Sequence, residues 1–200
     1  MLKVGLTGGL ACGKSFVGEA LAKCGCFLVR ADELGHAVLA PDGEAYEAVI
    51  RELGAEVLPD GQIDRRKLGA RVFSDREALA RLNALVHPAV IARQEKMIAE
   101  FARREPKGIA VVEAAILIET GSYRRFDRLI LVSCREEQQI ERAMHRDGIS
   151  EEEARARLSR QMPLAEKRKL ADFVIDTSGE KQDTLRQTCT VYAELRRIEA

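Results

Sequence analysis

The chain has no tryptophan, three tyrosines and six phenylalanines in 200 residues. Aromatic side chains are too few to interleave with basic ones as a nucleic-acid surface requires. Excess charge is also missing: 32 lysines and arginines are matched by 32 aspartates and glutamates, so no overall field draws the chain to a polyanion or a membrane. No apolar run approaches the ~20 residues that span a bilayer. The N-terminus opens directly into an apolar stretch, without the basic start, apolar core and cleavage site of a secretory leader. Five cysteines, an odd and scattered set, do not make a disulfide framework. Cys24-Gly25-Cys26 has the wrong spacing for a metal-binding pair and reads as buried packing. These absences predict a soluble cytoplasmic protein, a monomer or weak homo-oligomer, with neither nucleic acid nor membrane as partner.

What is present is concentrated in residues 2–23. Leu2, Val4 and Leu6 make a short apolar strand that runs into Thr7-Gly8-Gly9-Leu10-Ala11-Cys12-Gly13-Lys14-Ser15, and a helical pattern follows with Phe16, Val17, Ala20 and Leu21 on one side. Gly8, Gly13, Lys14 and Ser15 satisfy G-x-x-x-x-G-K-[ST], and strand before with helix after is the context that pattern needs. The glycines permit backbone angles and approaches that a β-carbon blocks, so successive N–H groups can turn onto phosphate oxygens. The helix beginning near Lys14 adds its positive end. Lys14 places a point charge between the β- and γ-phosphates, and the Ser15 hydroxyl is suited to Mg²⁺. A nucleoside triphosphate with Mg²⁺ is the ligand implied.

Further apolar runs at Cys26–Val29, Ile109–Val112, Leu129–Val132 and Phe173–Ile175 alternate with helical patterns. The expected fold class is α/β: a three-layer phosphate-loop NTPase fold with a five-stranded parallel sheet, a helical acceptor-binding insertion and a helical lid. The expected layout is one domain, with a nucleotide-binding core over 1–36, 106–134 and 171–200, the insertion over 37–105 and the lid over 135–170. Asp32 stands at a carboxyl strand end, the edge at which such sheets bind ligands. It reads equally as a helix cap. His36 shares its helical face if a helix begins there. Stripes at Tyr46, Val49, Ile50, Leu53 and at Leu79, Leu82, Leu85, Val86 read as core. Pro88 is expected to start a new helix with His87 near its amino end, where His87 either caps or borders a ligand. Glu113 after the third strand is placed for a second contact to the metal through water, and Glu119 for that role or for the second substrate. In the lid, Ser150 and Glu153 form a capping box, Arg155 and Arg157 read as ion-paired, and Arg142 and Arg146 project together to deliver late positive charge. The last helix, Lys181 to Arg197, should cover the sheet with Leu185, Cys189, Tyr192 and Leu195.

Taken in order, Gly5-Leu6-Thr7-Gly8-Gly9 into Gly13-Lys14-Ser15, Asp32-x-x-x-His36, His87-Pro88, Ile116-Leu117-Ile118-Glu119, Arg142-x-x-x-Arg146-Asp147, Gln161-Met162-Pro163, Glu166-Lys167 and Ala171-Asp172 to Asp176 resemble the dephospho-coenzyme A kinase family over nearly the whole chain. The resemblance implies ATP-dependent phosphorylation of the ribose 3′-hydroxyl of dephospho-CoA, the last step of coenzyme A synthesis. It implies that the loop of Gly8, Gly9, Ala11, Cys12, Gly13, Lys14, Ser15 and Phe16 holds ATP and that Ser15 binds the metal. By the same resemblance Asp32 accepts the hydroxyl proton, Arg142 and Arg146 supply lid charge, and His36, His87 and Glu119 border the acceptor. Thr177 to Gly179 would border the adenine, with Thr177 standing where the family more often has Asn.

The chain departs from the family at Ala11, Cys12 and Phe16, commonly Gly, Ser and Thr, and at Ala115, usually Pro. Ala11 is expected to cost about 1 kcal/mol if its φ is positive. Cys12, beside Lys14 and a helix amino end, is expected to be a low-pKa thiol whose reversible oxidation inhibits and against which ATP protects. Two other readings share the loop: a kinase for another small molecule such as a nucleoside or nucleotide, and a regulatory nucleotide switch. The absence of N-K-x-D and the paired lid arginines argue against the switch.

Overall fold

The computed structural model describes every residue except Ala55, Val57 and Ala200, and only the backbone of Phe73 and Ser74. The apolar runs become strands β1 (Leu2–Gly8), β2 (Phe27–Arg30), β3 (Ile109–Glu113), β4 (Arg128–Ser133) and β5 (Phe173–Asp176). They form a five-stranded parallel sheet in the order β2-β3-β1-β4-β5. Helices cover both faces of such a sheet, so its strands are apolar at successive rather than alternate positions. All five residues of β3 are buried. β1 is central, with Leu6 opposite Glu113 of β3 and Gly8 opposite Val132 of β4. The chain leaves β1 and goes out to β2 before returning beside β1, so neighbours on its two sides arrive from different crossovers. Ligands bind at the carboxyl edge of an open sheet where the order reverses in this way.

The helices are α1 (Lys14–Lys23), α2 (Ala31–Val38), α3 (Tyr46–Leu53), α4 (Arg65–Ser74), α5 (Arg76–Arg104), α6 (Glu136–Asp147), α7 (Glu151–Leu158), α8 (Leu164–Arg168) and α9 (Lys181–Glu199). Two compact units result: Met1–Val29 with Phe101–Ala200, and Arg30–Glu100. In the first, Val4, Leu6, Val17, Leu21, Val111, Ile130, Val132 and Leu195 join one core, and Cys26 is buried with them as packing. In the second, Val38, Tyr46, Val49, Leu53, Ile63, Leu68 and Val72 form a separate core, flanked by Leu79, Leu82, Leu85 and Val86. The Tyr46 hydroxyl donates to the carbonyl of Gly61 in the turn at Pro59-Asp60-Gly61. The Asp64 carboxylate caps α4 by accepting from the Lys67 amide at 3.0 Å.

Two expectations change. Pro88 does not begin a helix; it lies inside α5, which is continuous on both sides of it, so His87 is mid-helix and caps nothing. A proline there removes one helical hydrogen bond and clashes with the preceding turn, at a cost of about 3 kcal/mol. The apolar stripe crosses the site without a break, because Val86 before it and Ala89 and Val90 after it pack on the same core. Burial on both sides of the proline holds the helix through it.

In α9 the buried face is Thr184, Thr188, Val191 and Leu195, so the stripe is shifted from the one expected, and Leu185 and Cys189 face solvent. Threonine reads as a poor core residue because its hydroxyl needs a partner. Here Thr188 donates to the Thr184 carbonyl one turn back at 2.8 Å, which leaves its methyl for the core. Leu195→Ala should therefore lower the unfolding free energy by about 2–5 kcal/mol, while Leu185→Ala stays within about 0.5 kcal/mol of the parent in urea titrations. Equal losses at the two positions would restore the leucine-lined face.

Candidate active site

The site is built on the turn from β1 into α1. Gly8 can only be glycine: a β-carbon there would lie 2.5 Å from the Val132 carbonyl oxygen of β4. Gly13 takes φ +81° at the amino end of α1, and Ala11 takes φ +51°, the condition under which it carries backbone strain. Its methyl is not wasted, because Leu10 and Ala11 pack against Ile140 and Ala143 of α6 and Ala154 of α7. The thin apolar face of the α6–α7 hairpin thus rests on the loop. No side chain caps α1 and its first turn carries no acid. The amino end of the helix is left for an anion.

One residue into α1, the Ser15 hydroxyl donates to Oε1 of Glu113 at 2.7 Å. Glu113 ends β3 and is only 6 % exposed. The register that sets Leu6 against Glu113 carries this carboxylate to the loop from the neighbouring strand. A hydroxyl held this way presents its oxygen lone pairs in a fixed direction, the arrangement that suits a hard cation. Among the described residues no group of three or more His, Cys, Asp or Glu could enclose a metal. A Mg²⁺ ion here would therefore take Ser15, water and phosphate oxygens, as that ion prefers.

Glu119 has partners within the chain. Its carboxylate pairs with Lys167 of α8 at 2.7 Å and accepts from the Met162 amide at 3.3 Å. Lys167 has no exposed surface, and its Nζ also reaches the Gly8 carbonyl at 3.4 Å. A buried ammonium persists only where several acceptors replace its water. The sequence analysis marks Lys167 only within the Glu166-Lys167 motif and gives it no role, since nothing local separates it from Arg168 and Lys169, which are exposed.

The two lid arginines part company. Arg142 donates to the Thr177 hydroxyl at 3.2 Å and to the Thr177 carbonyl at 2.8 Å. That hydroxyl donates in turn to the Cys12 carbonyl at 2.9 Å, so Arg142, the end of β5 and the phosphate loop form one chain of hydrogen bonds. Arg146 instead forks onto Asp147 at 2.7 and 3.0 Å, and Arg157 joins the same carboxylate at 3.0 Å. The hydrogen bond from Arg146 holds the Asp147 carboxyl below the usual range. Arg155 pairs with Glu151 and Glu136 as expected, and the Ser150–Glu153 capping box is present.

Cys12 overturns its expectation. It has no exposed surface, and its sulfur sits 3.3 Å from that of Cys134, just past β4. The bond with Cys134, and then burial, push the Cys12 thiol up rather than down. Cys134 is the one drawn down, first by its hydrogen bond with Cys12 and further by Arg142. The nearness of Lys14 and of a helix end is outweighed by a neighbour that no spacing rule announces.

In the second unit, Asp32 is exposed at the second position of α2; Arg30, not Asp32, is the cap. His36 lies one turn on in the same helix, and its Nε2 accepts from the Arg65 guanidinium at 2.7 Å. A guanidinium only donates, which fixes the tautomer with the proton on Nδ1. His87 is half-buried in α5.

The sequence model of the dephospho-CoA kinase family matches residues 2–183. A dephospho-CoA kinase of Geobacillus kaustophilus is 40% identical over 202 residues, covering 99% of this chain and 98% of that one. The crystal structure of TT1252 from Thermus thermophilus superposes with a TM-score of 0.80 at 34% identity, over 96% of this chain and 97% of that one. A dephospho-CoA kinase from Campylobacter jejuni gives 0.74 at 27% identity, over 99% and 98%.

The Lys167 contacts give a direct test. Lys167→Met should cost roughly 3–5 kcal/mol in denaturant unfolding, because Glu119 loses its counter-charge, and adding Glu119→Gln should recover part of that loss. Additive losses in the double variant would show that the two side chains do not act as a pair.

Proposed function

The chain belongs to the dephospho-CoA kinase family and carries out the ATP-dependent phosphorylation of dephospho-CoA in coenzyme A biosynthesis; we propose how its own residues divide that work. The observation that carries the activity is the family match from residue 2 to 183. For the residue roles it is the Ser15–Glu113 contact at the foot of an uncapped, acid-free helix end.

Phosphoryl transfer asks a protein for position and positive charge more than for covalent chemistry. The loop amides between Gly8 and Ser15, Cys12 and Phe16 included, hold the ATP phosphates, and Lys14 lies along the β- and γ-phosphates. Ser15 would be the protein ligand of a Mg²⁺ ion bound with ATP, an ion that would supply positive charge to the phosphate oxygens, and Glu113 orients that hydroxyl and would meet the ion through water. Asp32 orients the ribose 3′-hydroxyl of dephospho-CoA and accepts its proton as the oxygen attacks. His36 and His87 border the acceptor. His36 presents its Nδ1–H, since Nε2 is taken by Arg65.

Arg142 serves transfer from a fixed position, because its two bonds to Thr177 tie it to the loop. Arg146 has only a surface carboxylate to leave and is the arginine free to swing onto the transferred phosphoryl group. Glu119 fastens the loop through Lys167 and, still 21 % exposed, also borders the acceptor. The substrates are small molecules, and we place the reaction in the cytoplasm: the cysteines are unpaired, as a reducing compartment keeps them, and no helix among the described residues is long and apolar enough to cross a membrane.

ADP release from ATP and Mg²⁺ should require dephospho-CoA and yield coenzyme A by mass, with adenosine and a nucleoside monophosphate inert; turnover on either of those instead would move the acceptor assignment. Asp32→Asn should lower kcat by ~10²–10⁴ with ATP affinity little changed, as removal of a general base does. Equal loss of ATP binding would make Asp32 part of the nucleotide site. Arg142→Ala should weaken ATP binding and turnover together, whereas Arg146→Ala should act on kcat alone.

A further inference from the structure

The side-chain thiols of Cys12, in the phosphate loop, and of Cys134, just past β4, have no part in the transfer reaction. Their sulfurs are 3.3 Å apart although the residues are 122 positions apart in the chain. Both belong to the same core, where the loop meets the end of β4. Beside them lies a cavity of about 600 Å³, lined at its inner end by Gly9, Cys134 and Gln139 and farther out by Glu136, Arg155 and Ser159. The latter three are exposed, so the cavity opens to solvent. Cys134 is on its wall, and Cys12 is not. The two cysteines are thus unequal: Cys134, 8 % exposed, lines a space that opens to solvent, while Cys12 has no exposed surface and lies against it.

We propose that Cys12 and Cys134 form an oxidisable dithiol site, entered through this cavity by a small hydroperoxide, and that the disulfide it produces disables the phosphate loop. In the first step the Cys134 thiolate attacks the peroxide. A sulfur–oxygen bond forms, the oxygen–oxygen bond breaks, and the departing oxygen takes up a proton, leaving Cys134 as the sulfenic acid. Cys12 then attacks that sulfur: the S–S bond forms, the S–O bond breaks, and the leaving hydroxide takes the Cys12 thiol proton away as water. Two thiols are oxidised by two electrons, one peroxide is reduced, and two molecules leave, both of them water when the oxidant is hydrogen peroxide. Cys134 takes the first step because it lines the cavity and because Arg142 favours its thiolate.

The consequence follows from where Cys12 sits. A disulfide brings the sulfurs to about 2.05 Å, so the pair must close by more than an ångström. The Cys12 carbonyl is the acceptor for Thr177, which also holds Arg142, and its neighbours Ala11 and Gly13 already have positive φ. Moving Cys12 toward β4 turns the amides on either side of it away from the phosphates and pulls on the Arg142 anchor. The inhibitory oxidation expected at a low-pKa Cys12 becomes, in the folded chain, a two-cysteine event that starts at Cys134.

The test uses the whole protein, treated with hydrogen peroxide and alkylated. Peptides Val4–Lys14 and Leu129–Arg135 should appear joined, lighter by two hydrogens than their sum, and should separate with dithiothreitol. ATP affinity, measured by direct binding without acceptor, should fall about tenfold or more and return on reduction. Cys134→Ser and Cys12→Ser, each compared with its own untreated sample, should lose sensitivity to peroxide. Joining of Cys24 to Cys189 in place of this pair, peroxide sensitivity that survives Cys134→Ser, or a complete Cys12–Cys134 disulfide with unchanged ATP affinity would overturn the proposal. Because the binding and mass measurements need no acceptor, they stand apart from the identity of the second substrate.

Discussion

Gly8 lies against the backbone of β4 so closely that no other residue fits, and the arrangement of the nucleotide-binding unit follows from that approach. A loop whose amides converge on one point must be supported from behind, since each inward N–H leaves a carbonyl or a side chain turned the other way. The supports here come from distant parts of the chain. Lys167 holds the Gly8 carbonyl, Thr177 holds the Cys12 carbonyl, and Ile140, Ala143 and Ala154 pack on Leu10 and Ala11. Each is weak alone. Together they hold backbone at positive φ in a shape whose purpose is to meet an anion that the unit does not itself supply.

The same supports connect the chemistry to the lid. α6 carries Arg142, bound to Thr177, and Arg146, bound to the next residue of its own helix. One guanidinium is part of the loop's framework, while the other is held at 2.7 Å by a surface carboxylate, where solvent and the ordering of two side chains leave little net attraction. The difference in anchoring separates two residues that look equivalent on a helical wheel. Glu119 and Glu113 separate in the same manner. Glu113 ends β3 and Glu119 comes six residues later, but one meets a serine and the other a lysine, and the partner decides whether the carboxylate is tied to the first turn of α1 or to α8.

Much of the fold was legible because it rests on local rules. The five strands are apolar runs bounded by charge or glycine, the loop is a spaced pattern, and the caps at Asp64 and Ser150 obey geometry contained within four residues. The misreadings have one origin. Pro88 was taken as a boundary because a proline costs helix energy locally, while Val86, Ala89 and Val90 repay that through contacts with α3 and α4 residues. In α9 threonines lie where leucine was expected, since a threonine hydroxyl can return to its own helix backbone and bury only its methyl. Cys12 was judged by its neighbours in sequence, Lys14 and the helix end, when the group that governs it is 122 residues away.

By itself the sequence determined which backbone can turn its amides to a phosphate, which runs are strands, and, through the ordered set of motifs, the reaction. These depend on spacing and on the conformational limits of single residues, and both are properties of the chain before it folds. The tertiary structure decided the partners of the polar groups that surround the loop: Glu113 for Ser15, Glu119 for Lys167, Thr177 for Arg142 and Cys134 for Cys12. A buried charge, hydroxyl or thiol takes its properties from whatever replaces its water. That replacement comes from strands and helices brought together only by the sheet order β2-β3-β1-β4-β5.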